Sequence, residues 1–452
     1  MSTLRRTASV LGATALLGWG APGLGQGREP LCVPVATRRL VSAPFLLANG
    51  SDYLVARPLS AVAPDGAAFV VALRDPERSL RIGPRRSLPR SLASLELAAP
   101  ERLAETTPGL TVLRVDRDLR VVGDGAFVQD PVASVRAGET YPPGIPVGAT
   151  VAEGVVVAQQ IAGDVYVTLA GAAGGALTIT RVAQAPPAAT AAGRRGFVWI
   201  TVAPRTVAGR VGAALLAGTE EGEVVAVSLG ADGQRVGEPV LWSQRVGGAM
   251  RLLPVPPGVD PAALLERPVR GTTPTGQQAR EQVLVRLGPT LEPRGEPARV
   301  GLGPYEVASA WRGDSLVLSQ WVDGRAFAVA TAPLRDGAFA LEAPRIWTTT
   351  PFEGLALGHA MTLGPNGILY DLMLHGDDVA GGLHAYLTFL PPAGAPFPRR
   401  DVIPLRARVI APPQLLPAED GVVAVLATYD ELGGGVDAVH LRCDMVTLPD
   451  RR

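Results

Sequence analysis

Apolar residues recur at every second position along almost the whole chain, in short runs closed by glycine, proline or aspartate, and helical spacing is nearly absent. Such a pattern leaves antiparallel β-sheet as the expected fold. Turn dipeptides punctuate the runs at Asn49-Gly50, Asp65-Gly66, Asp124-Gly125, Asp232-Gly233, Asp323-Gly324, Asp336-Gly337, Asn366-Gly367 and Asp420-Gly421. A glycine there supplies the positive φ of a tight hairpin.

Internal repetition narrows the architecture. Residues 225–239 (VAVSLGADGQRVGEP) align with 283–297 (VLVRLGPTLEPRGEP) and share Gly-Glu-Pro at the same place. A looser copy, 111–125 (TVLRVDRDLRVVGDG), lies upstream at about twice that spacing, as though one more unit intervened. Units of roughly 45 to 60 residues suit four-strand propeller blades better than short solenoid coils. The clearest unit places strands at 305–311, 315–321, 325–331 and 338–347. Hairpins near Ala67, Thr111, Val165, Val225, Val283, Phe327, Leu383 and Val436 give up to eight units, of which 87–108 makes a poor pair of strands. The expectation is an all-β propeller of seven blades, with eight allowed.

Cys32 and Cys443 are the only cysteines, one toward each end of the chain. Three strands follow Arg408, at 409–416, 422–429 and 436–443, so the final unit lacks a fourth. Residues 31–36 can supply it as an outer strand, where Pro30 and Pro34 are tolerable because an edge need not donate every hydrogen bond. Cys32 then lies beside Cys443, and a disulfide would seal the seam between first and last units. The rival architecture is a pair of β-sandwiches joined by the Pro- and Ala-rich stretch 183–193 (AQAPPAATAAG).

A disulfide needs an oxidising compartment, and the first 25 residues carry the address: Arg5 and Arg6, an apolar run over 8–19, then Gly23 and Gly25. This reads as a secretory signal peptide over 1–25, with 26–452 a single domain in the periplasm or outside the cell. Glu29, Pro30 and Leu31 before Cys32 do not suit a lipid anchor, and Thr7, Ala8 and Ser9 after the arginine pair favour general secretion over twin-arginine export. No other run reaches the length of a membrane span.

Lysine is absent, so all 42 basic residues are arginines, set against 42 acidic ones. The leader removes two arginines and no acid, leaving a slightly acidic chain, which argues against a nucleic-acid partner. Without lysine there is no P-loop nucleotide site, no Schiff base and no pyridoxal phosphate chemistry. Residues 49–56 (NGSDYLVA) and 311–321 (WRGDSLVLSQW) resemble the hairpins of secreted bacterial β-propeller repeat proteins. The resemblance implies the propeller architecture alone. Trp-Asp signatures, sialidase-type aspartate boxes and kelch glycine pairs are missing, so it carries over no functional residues.

Four groups of residues are candidates for chemistry. Gly313-Asp314-Ser315-Leu316 spells the nucleophile motif of GDSL-type esterases, with Asp437 and His440 as orienting acid and base. Those two lie three apart on an expected strand, which puts them on opposite faces. Arg312-Gly313-Asp314 spells an adhesion tripeptide, and a tight turn explains its glycine equally well. His375, Asp377, Asp378 and His384 share one connection between strands, and imidazole with carboxylate can bind a divalent cation, with Asp430 and Glu431 in the next unit as further ligands. The tryptophans at 199, 242, 311, 321 and 347 read as core rather than as a sugar platform. The function these features favour is a secreted, non-catalytic propeller that binds a partner protein or surface polysaccharide through its loop face. The alternative is an extracellular hydrolase or lyase with a metal or carboxylate site there.

Overall fold

The structure, a computed structural model, describes residues 28–43, 59–62, 68–74, 109–116, 118–120, 126–129 and, with short interruptions, 147–447. The proposed leader lies outside these residues. Among the described residues there is no helix, and hence none long and apolar enough to cross a membrane.

The first strand, β1 (Arg28–Ala43), joins the far end of the chain. A meander of β2 (Leu59–Val62), β3 (Ala68–Arg74), β4 (Gly109–Val115) and β5 (Ala126–Gln129) then forms the first sheet. The second contains β6 (Val147–Val151), β7 (Gly154–Ile161), β8 (Asp164–Gly171) and β9 (Ile179–Ala183). In the third are β10 (Phe197–Val207), β11 (Arg210–Thr219), β12 (Val224–Leu229) and β13 (Arg235–Leu241). The fourth is built from β14 (Ala249–Leu253), β15 (Ala262–Thr272), β16 (Gln278–Leu287) and β17 (Pro293–Arg299). A fifth comprises β18 (Val307–Arg312), β19 (Ser315–Val322), β20 (Ala326–Arg335), and an outer strand split into β21 (Ala338–Phe339) and β22 (Arg345–Thr348). The sixth has β23 (Leu355–Leu363), β24 (Leu369–Gly376), β25 (Leu383–Leu390) and β26 (Phe397–Pro404). The last holds β27 (Arg408–Val409), β28 (Gln414–Ala418), β29 (Gly421–Asp430), β30 (Gly433–Thr447) and, outermost, β1. Among the described residues the strands thus form seven antiparallel sheets of four or five strands, in chain order, as a propeller requires.

The repeats fall on equivalent elements. Residues 225–239 and 283–297 are the third and fourth strands of consecutive sheets, and 111–125 begins at the third strand of the first sheet, with one sheet intervening. One expectation is corrected. The hairpins near Ala67 and Thr111 are not separate units, because β3 pairs directly with β4 across residues 75–108, which lie outside the described ones.

The third to sixth sheets are packed on both faces, which explains the apolar runs in their inner strands. On β11, Ala213, Leu215 and Ala217 face the second sheet, while Ala214 and Leu216 face the fourth. Burying each leucine contributes about 2 kcal/mol. Similar cores fill the seams between fourth and fifth, fifth and sixth, and sixth and seventh sheets. The core between second and third sheets includes Val182 and Ala183 before residues 184–193 and Phe197 after them, so packing is continuous where the sandwich reading puts a linker.

At the outer edge of the last sheet, β1 pairs with β30 in a register that sets Cys32 opposite Cys443, and the two form a disulfide. The expected strand at 31–36 is therefore present and longer than anticipated. Arg39 adds an ion pair to Asp437, Nε to Oδ1 at 2.9 Å. The innermost strands of the first and last sheets, β2 and β28, lie beside each other.

Candidate functional site

Because strands alternate in direction, the connections between first and second, and third and fourth, strands of every sheet share one end of the molecule. Those between second and third strands, and the links from sheet to sheet, share the other. Chain length is concentrated at this second, loop end. Here β3 ends and β4 begins, with residues 75–108, outside the described ones, between them in the chain, and here the β15–β16 hairpin keeps pairing to Thr272↔Gln278 although the inner strand β14 has its last partner at Glu266. The projecting arm is braced by Arg267 to Glu281 at 2.7 Å and Arg280 to Glu266 at 3.2 Å.

The opposite, turn end is stapled from sheet to sheet. Ala152 N donates to Val211 O (2.8 Å) and Glu153 N to Ala231 O (3.3 Å) between the second and third sheets. Arg205 Nη2 reaches Pro289 O (3.0 Å), Trp311 Nε1 donates to Pro254 O, and Arg312 Nη1 reaches Pro391 O (2.8 Å) across the following three seams. At the loop end, comparable bonds join Phe197 N to Gly163 O (3.1 Å) and Arg251 Nη2 to Val307 O (2.5 Å).

The candidate metal ligands lie at the loop end of the sixth sheet. His375 on β24 and His384 on β25 are register partners, directly opposite each other at the base of their connection. Asp377, Asp378 and Glu431 fall outside the described residues, while Asp430 ends β29 opposite Gly433. Among the described residues there is no group of three or more His, Cys, Asp or Glu able to hold a metal ion.

The esterase-like triad is not assembled. Ser315 Oγ donates to Asp314 Oδ1 at 3.0 Å in the fifth sheet, whereas Asp437 is held by Arg39 and His440 Nε2 sits 2.8 Å from Asp420 Oδ1 in the seventh. The adhesion tripeptide is likewise taken apart. Gly313 occupies a turn at φ +61°, and Arg312 turns back to the carbonyls of the sixth sheet, where burial lowers its pKa. The tryptophans belong to the seams, as expected: Trp242 and Trp199 to that between third and fourth sheets, Trp311 to the next, Trp321 and Trp347 to the one after.

One constellation went unnoticed in the sequence. Asp371 on β24 has no exposed surface and accepts hydrogen bonds from Ser319 Oγ (2.5 Å) and Trp321 Nε1 (3.2 Å) of β19, while His359 Nδ1 on β23 lies 3.3 Å away. A lone acid in the run Ile368-Leu369-Tyr370-Asp371-Leu372-Met373-Leu374 was its available signal. Serine, acid and imidazole are present, but the serine hydroxyl points at the carboxylate and not at the imidazole, and the group is sealed between sheets. It fastens the seam rather than attacking a substrate.

No protein-family model matches the chain, and no curated protein sequence matches it either. Among solved structures, a protein of unknown function from Dyadobacter fermentans superposes with a TM-score of 0.46 at 10% identity, over 90% of this chain and 99% of that one. A 6-phosphogluconolactonase-like protein from Bacteroides uniformis gives 0.40 at 14% identity, over 72% and 83%. Trypanosoma rangeli sialidase gives 0.38 at 10%, over 74% of this chain and 57% of the sialidase. All three scores are below one half, and it is the strand pairing that defines the fold.

Proposed function

We propose that this chain is an exported β-propeller of seven blades, a single domain over 26–452 after loss of residues 1–25, whose ring is closed by β1 pairing with β30. It binds a partner protein or a surface polysaccharide through its loop end and performs no chemistry of its own. The observation that carries this reading is the unequal distribution of chain between the two ends. The turn end is short and stapled across four successive seams, while the loop end carries residues 75–108 and the projecting β15–β16 arm. Recognition is commonly carried by loops held on a rigid scaffold. Nucleic acid, nucleotide and membrane-span roles are left aside on the charge and composition already given.

The test is capture. The exported protein, immobilised, is offered a panel of bacterial surface polysaccharides and a lysate, beside a variant in which 75–108 and 268–279 are each replaced by a tight turn. Loss of a specific capture in a variant that still forms its disulfide supports the reading, and equal capture by both proteins counts against the loop end.

A second reading rests on the His375 and His384 pairing. With Asp377 and Asp378 they would hold a divalent cation at the same end, as part of an extracellular hydrolase or lyase. Turnover of a saccharide or ester substrate that is abolished by His375→Ala or Asp377→Ala would replace the binding reading with this one.

A further inference from the structure

The turn between β16 and β17 gathers more positive charge than its surroundings neutralise. Arg286 and Arg294 are register partners on its two stems. Both lean toward one oxygen of Asp260, Arg286 Nη2 at 3.6 Å and Arg294 Nη1 at 3.9 Å from Oδ2, separations too long for hydrogen bonds. Neither guanidinium has another partner among the described residues. From the neighbouring sheet Arg205 anchors the tip of the same turn through Pro289 O, and its Nη1 is buried without a hydrogen bond. Burial lowers the pKa of Arg205, and the Asp260 carboxylate opposes that shift. Glu292, on the same turn, forms no ion pair with any of the three. One carboxylate thus faces three guanidinium groups, and it is the only ion-pair partner of Arg286 and Arg294 among the described residues.

We propose that this turn is a binding site for a tetrahedral oxyanion, phosphate or sulfate, free or carried on a polymer. The donors that touch it are Arg286 and Arg294, whose side chains are 29% and 64% exposed and open to an arriving anion. Planar, forked guanidinium groups match a phosphate or sulfate edge, and charge-assisted bonds of this kind are roughly twice as strong as neutral ones. Arg205 is a positioning residue. It pins the turn and adds positive potential from behind, without needing to reach the ligand. Asp260 competes with the anion for the same two arginines. The site lies at the turn end and is independent of the loop-end reading above.

The experiment is calorimetric titration at low ionic strength with inorganic phosphate, inorganic sulfate and polyphosphate, on the whole exported chain. Saturable binding is expected, weakened roughly tenfold or more by Arg294→Ala and lost in Arg286→Ala/Arg294→Ala, since each removes a charge-assisted contact. Asp260→Asn should bind more tightly than the wild type, which a merely structural role for Asp260 would not produce. Arg235→Ala, an exposed arginine of β13, serves as the charge control and should bind as the wild type does. Saturation by the inorganic ions assigns a free anion, and saturation by polyphosphate alone assigns a polymer-borne one. Absence of saturable binding of all three probes, or equal binding by wild type and double variant, would overturn the site.

Discussion

A carboxylate as buried as Asp371 persists in an apolar seam because Ser319 and Trp321 of the neighbouring sheet donate to it and His359 of its own sheet lies against it. Asp371→Ala would remove the carboxylate that Ser319 Oγ and Trp321 Nε1 donate to and that His359 Nδ1 lies against, and should cost about 3 kcal/mol, read as a lower urea midpoint at unchanged slope. Asp371→Asn, which keeps an acceptor, should cost less. On the other face of the same strand, burial pushes the Tyr370 phenol up to about 12. The unfolded chain releases that proton near pH 10, while the folded chain keeps it. Between roughly pH 10 and 12 the unfolded state therefore binds fewer protons, and stability falls as pH rises. Thermal melts should show an alkaline loss of about 2 kcal/mol in the wild type that Tyr370→Phe lacks. Tyr370 also fixes its neighbour, because a Cβ on Gly364 would overlap its ring. None of this was legible in sequence. A single acid or tyrosine in an apolar run does not announce which adjacent sheet will face it, and the partners of Asp371 stand some 50 positions away.

Strands were far more legible than contacts, since a period of two and a turn glycine are local properties. Gly233 and Gly367 adopt the positive φ expected of their dipeptides, at 73° and 69°. Gly421 does not, and is required instead because a side chain there would strike the Leu441 carbonyl. The outer strand of the fifth sheet, expected as one run over 338–347, is two, β21 and β22: Ala340 N and Glu342 N still bond to Pro333 O and Thr331 O of β20, and the register then slips by one residue before Arg345 pairs with Val329. The pairing of β1 with β30 was inferable because cysteines report distance as local patterns cannot. That pairing now has a measurable weight. A disulfide joining residues 411 apart constrains the unfolded chain, so Cys32→Ser/Cys443→Ser should lose about 2 to 5 kcal/mol of unfolding free energy. The variant should still fold, since the long β1–β30 ladder and the Arg39 to Asp437 ion pair remain. A variant as stable as the wild type would mean that the ladder alone closes the seam.

Seven sheets in chain order, with β2 beside β28, describe a ring only if the last sheet is truly completed by the start of the chain. That condition has a direct test in connectivity. Since Arg28 lies opposite Thr447 at the end of the β1–β30 ladder, a short turn after residue 447 leading into 28–43 would make β1 the second strand of an ordinary hairpin. A permuted chain that begins before β2 and ends with that hairpin keeps every pairing described, and turns the most distant contact in the molecule into a local one. It should fold faster, because less chain must be ordered before Cys32 meets Cys443. It should also retain the native strand signal. Loss of the disulfide should now cost much less than in the parent, because the loop it closes is short. A permutant that folds but cannot form the Cys32 to Cys443 bond would show that β1 belongs elsewhere, and the ring would have to close by some other contact between β2 and the last sheet.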